Sequence, residues 1–275
     1  MFTNMTFRLC GALTAGLLCI AGPASAQFSP RMSNDSVIGE TYHIEGSAGF
    51  WTPASTMGIS GEQFNVIGSN IDFKNDLGLT DQRFTSFQAV LHPAQKHKFR
   101  FQFVPIKYDQ GPVTLTRELV FNGQRYTVGS PVVSSLDWKA YRFAYEYDFL
   151  SQDRWFAGVI LEAKYTDFTA SLLTPVINES IHARGPIPAL GGIFRYYVIP
   201  RLSLTGELSG ITVPASASQK YNAHYAEINA YGTMNVTNNF GAQFGYRTFN
   251  VAYQIDKDTG RFDLNGIYFG LVARY

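Results

Sequence analysis

Apolar and polar side chains alternate with a period of two through ten segments of this chain. The pattern is plainest from Lys98 to Tyr108, where Phe99, Phe101 and Phe103 alternate with Lys98, Arg100 and Gln102. From Leu136 to Phe149 the residues Tyr141, Phe143, Tyr145, Tyr147 and Phe149 share one face, and Arg142, Ala144, Glu146 and Asp148 the other. Successive side chains of a strand point to opposite faces, so this period predicts strands and does not fit helical spacing. Similar stretches run over Thr41–Trp51, Arg83–His92, Trp155–Phe168, Ile187–Ile199, Leu202–Ile211, Ala223–Thr237 and Phe240–Tyr253. In the first of these, Tyr42, Ile44, Gly46, Ala48 and Phe50 are expected on the apolar face, with His43, Glu45 and Ser47 opposite. Pro105 predicts a bulge, because proline cannot donate to a ladder. Pro186 and Pro188 place the start of the sixth strand near Ile187.

The tenth segment is the C-terminus. Ile267, Phe269, Leu271, Ala273 and Tyr275 form one apolar stripe that ends in an aromatic ring. Short connections separate some strands, at residues 93–96, 150–154, 200–201 and 238–239. Long ones separate the others, at 52–79, 109–135, 169–186, 212–222 and 254–261. Alternating short turns and long loops suit an antiparallel barrel in a membrane.

The first 26 residues read differently. Arg8 precedes an apolar run from Leu9 to Ala21, and Ala24-Ser25-Ala26 is a small-residue cleavage site. This predicts an export signal over 1–26. Both cysteines, Cys10 and Cys19, fall inside it, so disulfide and thiol chemistry are excluded from the mature chain. A short flexible segment is expected over 27–40 and the barrel over 41–275. The formal charge of +1 points to no nucleic-acid partner. The 22 Phe and 16 Tyr, in a chain without a long apolar run beyond the signal, fit alternating strands with aromatic girdles, where Tyr and Trp near the rims anchor the barrel.

Together these features resemble the small Gram-negative outer-membrane β-barrels of the broad OmpA- and OmpW-like class. The terminal stripe is similar to the strand that such proteins present during assembly. The resemblance implies an all-β, closed antiparallel transmembrane barrel in the cell outer membrane. The segment count gives ten strands, with eight or twelve as alternatives. Implied partners are outer-membrane lipid, lipopolysaccharide and the barrel-assembly machinery; the oligomeric state is left open.

Inward positions collect charges of both signs: Glu45, Arg100, Arg142, Glu146, Glu162, Lys164, Arg195, Glu207, Glu227, Arg247 and Arg274. A barrel of about ten strands has a narrow interior, and buried charges need partners. The expectation is a charge-paired lumen and a structural or surface-exposed role without enzymatic activity, cofactor or metal. The alternatives are a narrow porin and an outer-membrane hydrolase. Barrel lipid hydrolases place His two residues before Ser; here Glu45, Ala94, Phe99, Arg184 and Ala226 stand two places after the five histidines. Omptin-type proteases use paired Asp opposite Asp-x-His. Asp256 and Asp258 imitate the first half, but Asn222 stands where His224 would need Asp.

Among the loops, Asn122-Gly123 signals a hairpin between 114–121 and 124–128, expected to project above the membrane. Ile71 to Leu79 is a candidate cap for the barrel mouth, with Asp72 and Asp76 as candidates to bind Ca²⁺ or to bridge lipopolysaccharide through cations. Lys96, His97 and Lys98 read as a solvated turn.

Overall fold

The computed structural model describes residues 37–60, 69–213, 221–255 and 258–275. The proposed signal, with Cys10 and Cys19, lies outside these residues, as do Asp256 and Lys257. Thirteen strands occur among the described residues. Ten build the wall: β1 (Ile44–Ser60), β3 (Phe84–Ala94), β4 (His97–Thr114), β7 (Pro131–Ser151), β8 (Trp155–Leu173), β9 (Asn178–Ile199), β10 (Leu202–Val213), β11 (Tyr221–Asn235), β12 (Phe240–Ile255) and β13 (Asp258–Arg274). Each pairs antiparallel with the next in this order. β13 returns to β1 in unbroken register from Glu45↔Arg274 to Ser60↔Thr259, which closes the barrel. Closure leaves no sheet edge along the lower wall. Short pieces β2 (Ile71–Asp72), β5 (Leu119–Phe121) and β6 (Gln124–Tyr126) lie beyond it.

Around the end with short turns the outer face is apolar. Phe50, Phe87, Phe99, Phe143, Leu161, Phe194, Leu208, Ile228, Phe244, Ile267, Phe269 and Leu271 are all exposed there. Such a continuous band is too large for a water-facing surface and matches the lipid-facing band of a membrane barrel. Rings edge its upper boundary: Phe103 stacks on Tyr141 at 4.8 Å, and Tyr141 meets Tyr165 at 6.4 Å. Of the three tryptophans only Trp155 lies at a rim. Trp51 and Trp138 point inward and are buried, so the girdle is made by Tyr and Phe.

The strands do not stop at that boundary. β7 to β9 are 19–22 residues long, whereas about 9–11 suffice to cross a bilayer. Above the boundary the polarity of the wall inverts. On β7, Lys139 and Asp137 face out while Trp138, Leu136 and Val132 face in. On β4, Lys107 and Asp109 face out while Ile106 and Tyr108 face in. Water replaces lipid outside, so the apolar face turns to the interior. The segments that sequence alone assigns to long loops are therefore largely strand. β9 begins at Asn178, not Ile187, and runs through Pro186 and Pro188, where its ladder to β10 has already ended at Leu190↔Gly210. Pro105 produces no bulge either. β4 stays in register with β7 across it, while the β3 ladder ends at Phe103. Both sites follow the rule that proline is tolerated where a strand has lost one neighbour.

Candidate functional site: a two-storey lumen

Inward side chains of the lower half are charged, because lipid covers the outside and each cation finds a carboxylate across the lumen. Lys98 Nζ lies 2.9 Å from both Glu146 and Asp148. Arg100 bridges Glu146 at 2.8 Å and Glu207 at 2.6 Å. Arg142 joins Glu207 at 3.5 Å to Glu162 at 2.5 Å. Lys164 lies 3.8 Å from Glu162 and bonds Glu227, which stands 3.7 Å from Arg247. The result is a continuous ladder that changes sign at every step. Tyr231 and Tyr225 donate to Glu207 and Glu227 at 2.8 and 2.6 Å. With the Gln102 amide oxygen turned toward Arg247, it accepts from both terminal nitrogens at 2.9 and 3.0 Å.

Two further pairs lie below. Arg274 donates to Glu45 at 2.6 Å, and Arg195 to Glu40 at 2.7 Å. The interior then holds Lys98, Arg100, Arg142, Lys164, Arg195, Arg247 and Arg274 against Glu40, Glu45, Glu146, Asp148, Glu162, Glu207 and Glu227. The seven cations and seven carboxylates cancel. Burial of this many ions is tolerable only with such pairing.

Sequence reasoning misplaces three members. Lys98 is not part of a solvated turn: it is 3% exposed and sits 4.0 Å over the Phe156 ring. Tyr42 does not face lipid. A bend at His43 reverses the parity before β1, so Tyr42 is buried under Arg274 and beside His92, while His43 is exposed. Glu40, expected within a flexible segment, enters the lumen. The described residues 37–40 form a strap across the short-turn end, held by Ile38 N–H to Pro200 O at 2.8 Å and Asn235 Nδ2 to Ile38 O at 2.5 Å. Gly39 has φ +92°, and a Cβ there would lie 2.8 Å from Arg274 and Asn235. Burial pushes the Glu40 carboxyl up, but Arg195, Lys98 and the Tyr197 hydroxyl outweigh it and hold it at about 2.

The upper storey is apolar. Trp138 packs between Phe249 at 5.2 Å, Phe262 at 5.6 Å and Phe168 at 6.4 Å, with Leu136, Ile106, Ala170 and Leu264 buried around them. Two loops close the top. The 71–79 segment buries Ile71, Phe73, Leu77 and Leu79. The β5–β6 hairpin turns at Asn122 (φ 51°) and Gly123 (φ 77°), a turn with two left-handed residues as the sequence requires. It does not project: Leu119, Phe121 and Tyr126 are buried, and Tyr126 donates to Leu172 O at 3.2 Å. Asp72 and Asp76 are both engaged by the protein itself. Asp72 accepts from Lys74 N and Asn75 N, both at 2.9 Å, and Asp76 receives a bidentate Arg117 at 2.7 and 2.5 Å. Burial raises the Asp76 carboxyl, yet the Arg117 hydrogen bonds prevail and hold it below its usual range.

The terminal stripe occupies the outer face. Ile267, Phe269 and Leu271 are exposed to the apolar surroundings, alongside Ala273 on the same face. Tyr275, 87% exposed, exchanges backbone hydrogen bonds with Ile44.

No known family model matches this sequence, and no curated protein does. Solved structures share its architecture. The outer membrane protease OmpT from Escherichia coli superposes with a TM-score of 0.54 at 10% identity, over 89% of this chain and 99% of that one. Weaker likenesses are the outer membrane protein AlkL (TM-score 0.36, 11% identity, 90% and 96% covered) and Ail, the attachment invasion locus protein of Yersinia pestis (0.33, 9%, 82% and 97%). At such identities the likeness is one of fold. The closed ten-stranded barrel with its apolar belt is that of the small outer-membrane β-barrel class. The outer membrane is its location.

Proposed function

We propose that the protein is a sealed, non-enzymatic barrel that acts at the cell surface and not as a conduit. The observation that carries this reading is the lumen itself. A charge-balanced ladder of ion pairs fills the lower half, and an apolar core capped, among the described residues, by two loops fills the upper half. A polar solute descending from outside would meet desolvation in the upper storey before it reached any charge. The extracellular wall and its loops then carry function, as surface segments on rigid scaffolds commonly do. Insertion is proposed to proceed through the barrel-assembly machinery reading the Ile267–Tyr275 stripe.

Planar-bilayer recording of the purified full chain tests the reading. Silence at ±100 mV, with a heat-dependent mobility shift proving a folded barrel, is the expected result. Reproducible current steps would overturn it in favour of a narrow porin.

A further inference from the structure

The outer face of the extracellular wall carries a hollow of about 500 Å³ spanning β11, β12, β13, β1 and β2. One row of cross-strand neighbours crosses it: His224, Ala252, Arg261, Gly58 and Asp72. Small residues alternate with polar ones. Gly58 and Ala252 leave the floor without bulk, and His224, Arg261 and Asp72 rise around it. A Cβ at Gly58 would be in ordinary contact, 3.4 Å from its nearest neighbours, so the backbone does not demand glycine there. The hollow exists because the side chain is missing.

The polar rim has donors to spare. Arg261 spends its Nε on Asp263 at 2.7 Å, and its side chain is 70% exposed, leaving both terminal nitrogens directed to solvent. His224 spends Nδ1 on Thr212 at 3.0 Å, and its Nε2 has no partner among the described residues. Asn70, Asn222 and Thr259 add amide and hydroxyl groups. Amides, hydroxyls, an imidazole, one guanidinium and the Asp72 carboxylate, whose oxygens already accept from Lys74 and Asn75, surround a shallow floor of glycine and alanine and suit a ligand rich in hydroxyls. They do not suit an apolar chain or a metal.

Position narrows the choice. On β13 the outward residues climb from lipid-facing Ile267 through Asn265 and Asp263 to Arg261. Two residues of strand rise about 6.6 Å, or about 5 Å along the membrane normal at barrel tilt, so Arg261 stands about 15 Å above Ile267. That is the level of sugars attached to outer-leaflet glycolipid, and it is also open to glycans arriving from outside.

We propose that this hollow binds a saccharide, with Arg261 engaging an acidic group of the sugar and the neighbouring amides its hydroxyls. The test uses the full chain in detergent, titrated with delipidated core oligosaccharide from rough lipopolysaccharide and, separately, with 3′-sialyllactose. Affinity is read by calorimetry, and contact by hydrogen-exchange protection of residues 56–59, 252–254 and 259–261. Gly58→Phe fills the floor and Arg261→Ala removes the cation; both lie outside the lumen and should keep the heat-modifiable mobility.

The expected result is saturable binding of one of these probes, weakened at least tenfold by Gly58→Phe and severalfold by Arg261→Ala. Binding of the core oligosaccharide would assign the ligand to the cell's own leaflet, and binding of sialyllactose alone to an external glycan. Binding of neither, or binding that both variants leave unchanged, would overturn the proposal.

Discussion

Phe101 and Gln102 are neighbours in the chain and opposite in facing, and the difference decides what a charge does at each. Leu271 is 62% exposed toward lipid, so Leu271→Arg should cost about 2–4 kcal/mol, and Phe101→Arg a similar amount. Thr248→Arg, outward but above Tyr246, should cost far less. Urea unfolding from vesicles would rank them, and equal losses would mean that the apolar band is misplaced. Gln102→Arg is mild by alternation alone, because inward positions are polar. The structure withdraws that expectation, since Gln102 faces Arg247 and a second cation there would unbalance the ladder. Glu207 makes the converse case. It receives Arg100, Arg142 and Tyr231, so Glu207→Gln leaves two buried guanidinium groups short of a partner. The expected loss is about 3–5 kcal/mol in the same unfolding measurement. A near-neutral result would mean that the ladder is not what holds the lower storey.

At the scale of elements, what could be read in the sequence follows from where period-two contrast survives. Inside the membrane band an apolar outside meets a charged inside, so strands such as 98–108 and 136–149 announce themselves with their facing. Where a strand leaves the lipid the contrast reverses: Phe143 and Tyr141 face out below, Trp138 and Leu136 face in above. A single strand thus carries two opposite patterns, and the crossover reads as loss of signal. That is why the upper halves of β1, β4, β7, β8 and β9 looked like loops. Glu40 and Lys98 were illegible for another reason: their partners, Arg195 and Glu146, are distant in sequence and meet only on closure. The hairpin was legible because Asn-Gly is local chemistry. Its packing depth was not.

The cap makes an element-scale prediction about pH. Asp76 has a folded-state carboxyl held below its ordinary value by Arg117. A depressed carboxyl stabilises fully above its unfolded pKa, and that contribution is lost as pH falls through the folded value. The protection factors across residues 70–82, each referred to the intrinsic exchange rate at that pH, should therefore be high at neutral pH and fall in acid below about 4, with those of the barrel strands unchanged. Asp76→Asn should show the low protection already at pH 7. If acid left the segment equally protected, the Arg117 clasp would not be what holds the cap.

The whole molecule couples two solvents to one closed sheet. Ladder and apolar core are stacked in series, so a path through the barrel needs both to open. Leu115 and Ser130 already exchange a backbone hydrogen bond below the β5–β6 hairpin, Leu115 N–H donating to Ser130 O at 3.1 Å. Residues 116–129 can therefore be replaced by a two-residue turn without pulling on β4 or β7. That deletion strips Leu119, Phe121 and Tyr126 from the cap, and with Arg117 the clasp on Asp76, but leaves Leu136, Trp138, Phe168 and Leu264 beneath, and the ladder beneath those. The shortened barrel should remain heat-modifiable and electrically silent in planar bilayers. A stable current from it alone would show that the cap is the gate and that the core and ladder below it are leaky. The apolar storey would then be a vestibule, and the barrel a channel closed only by its cap.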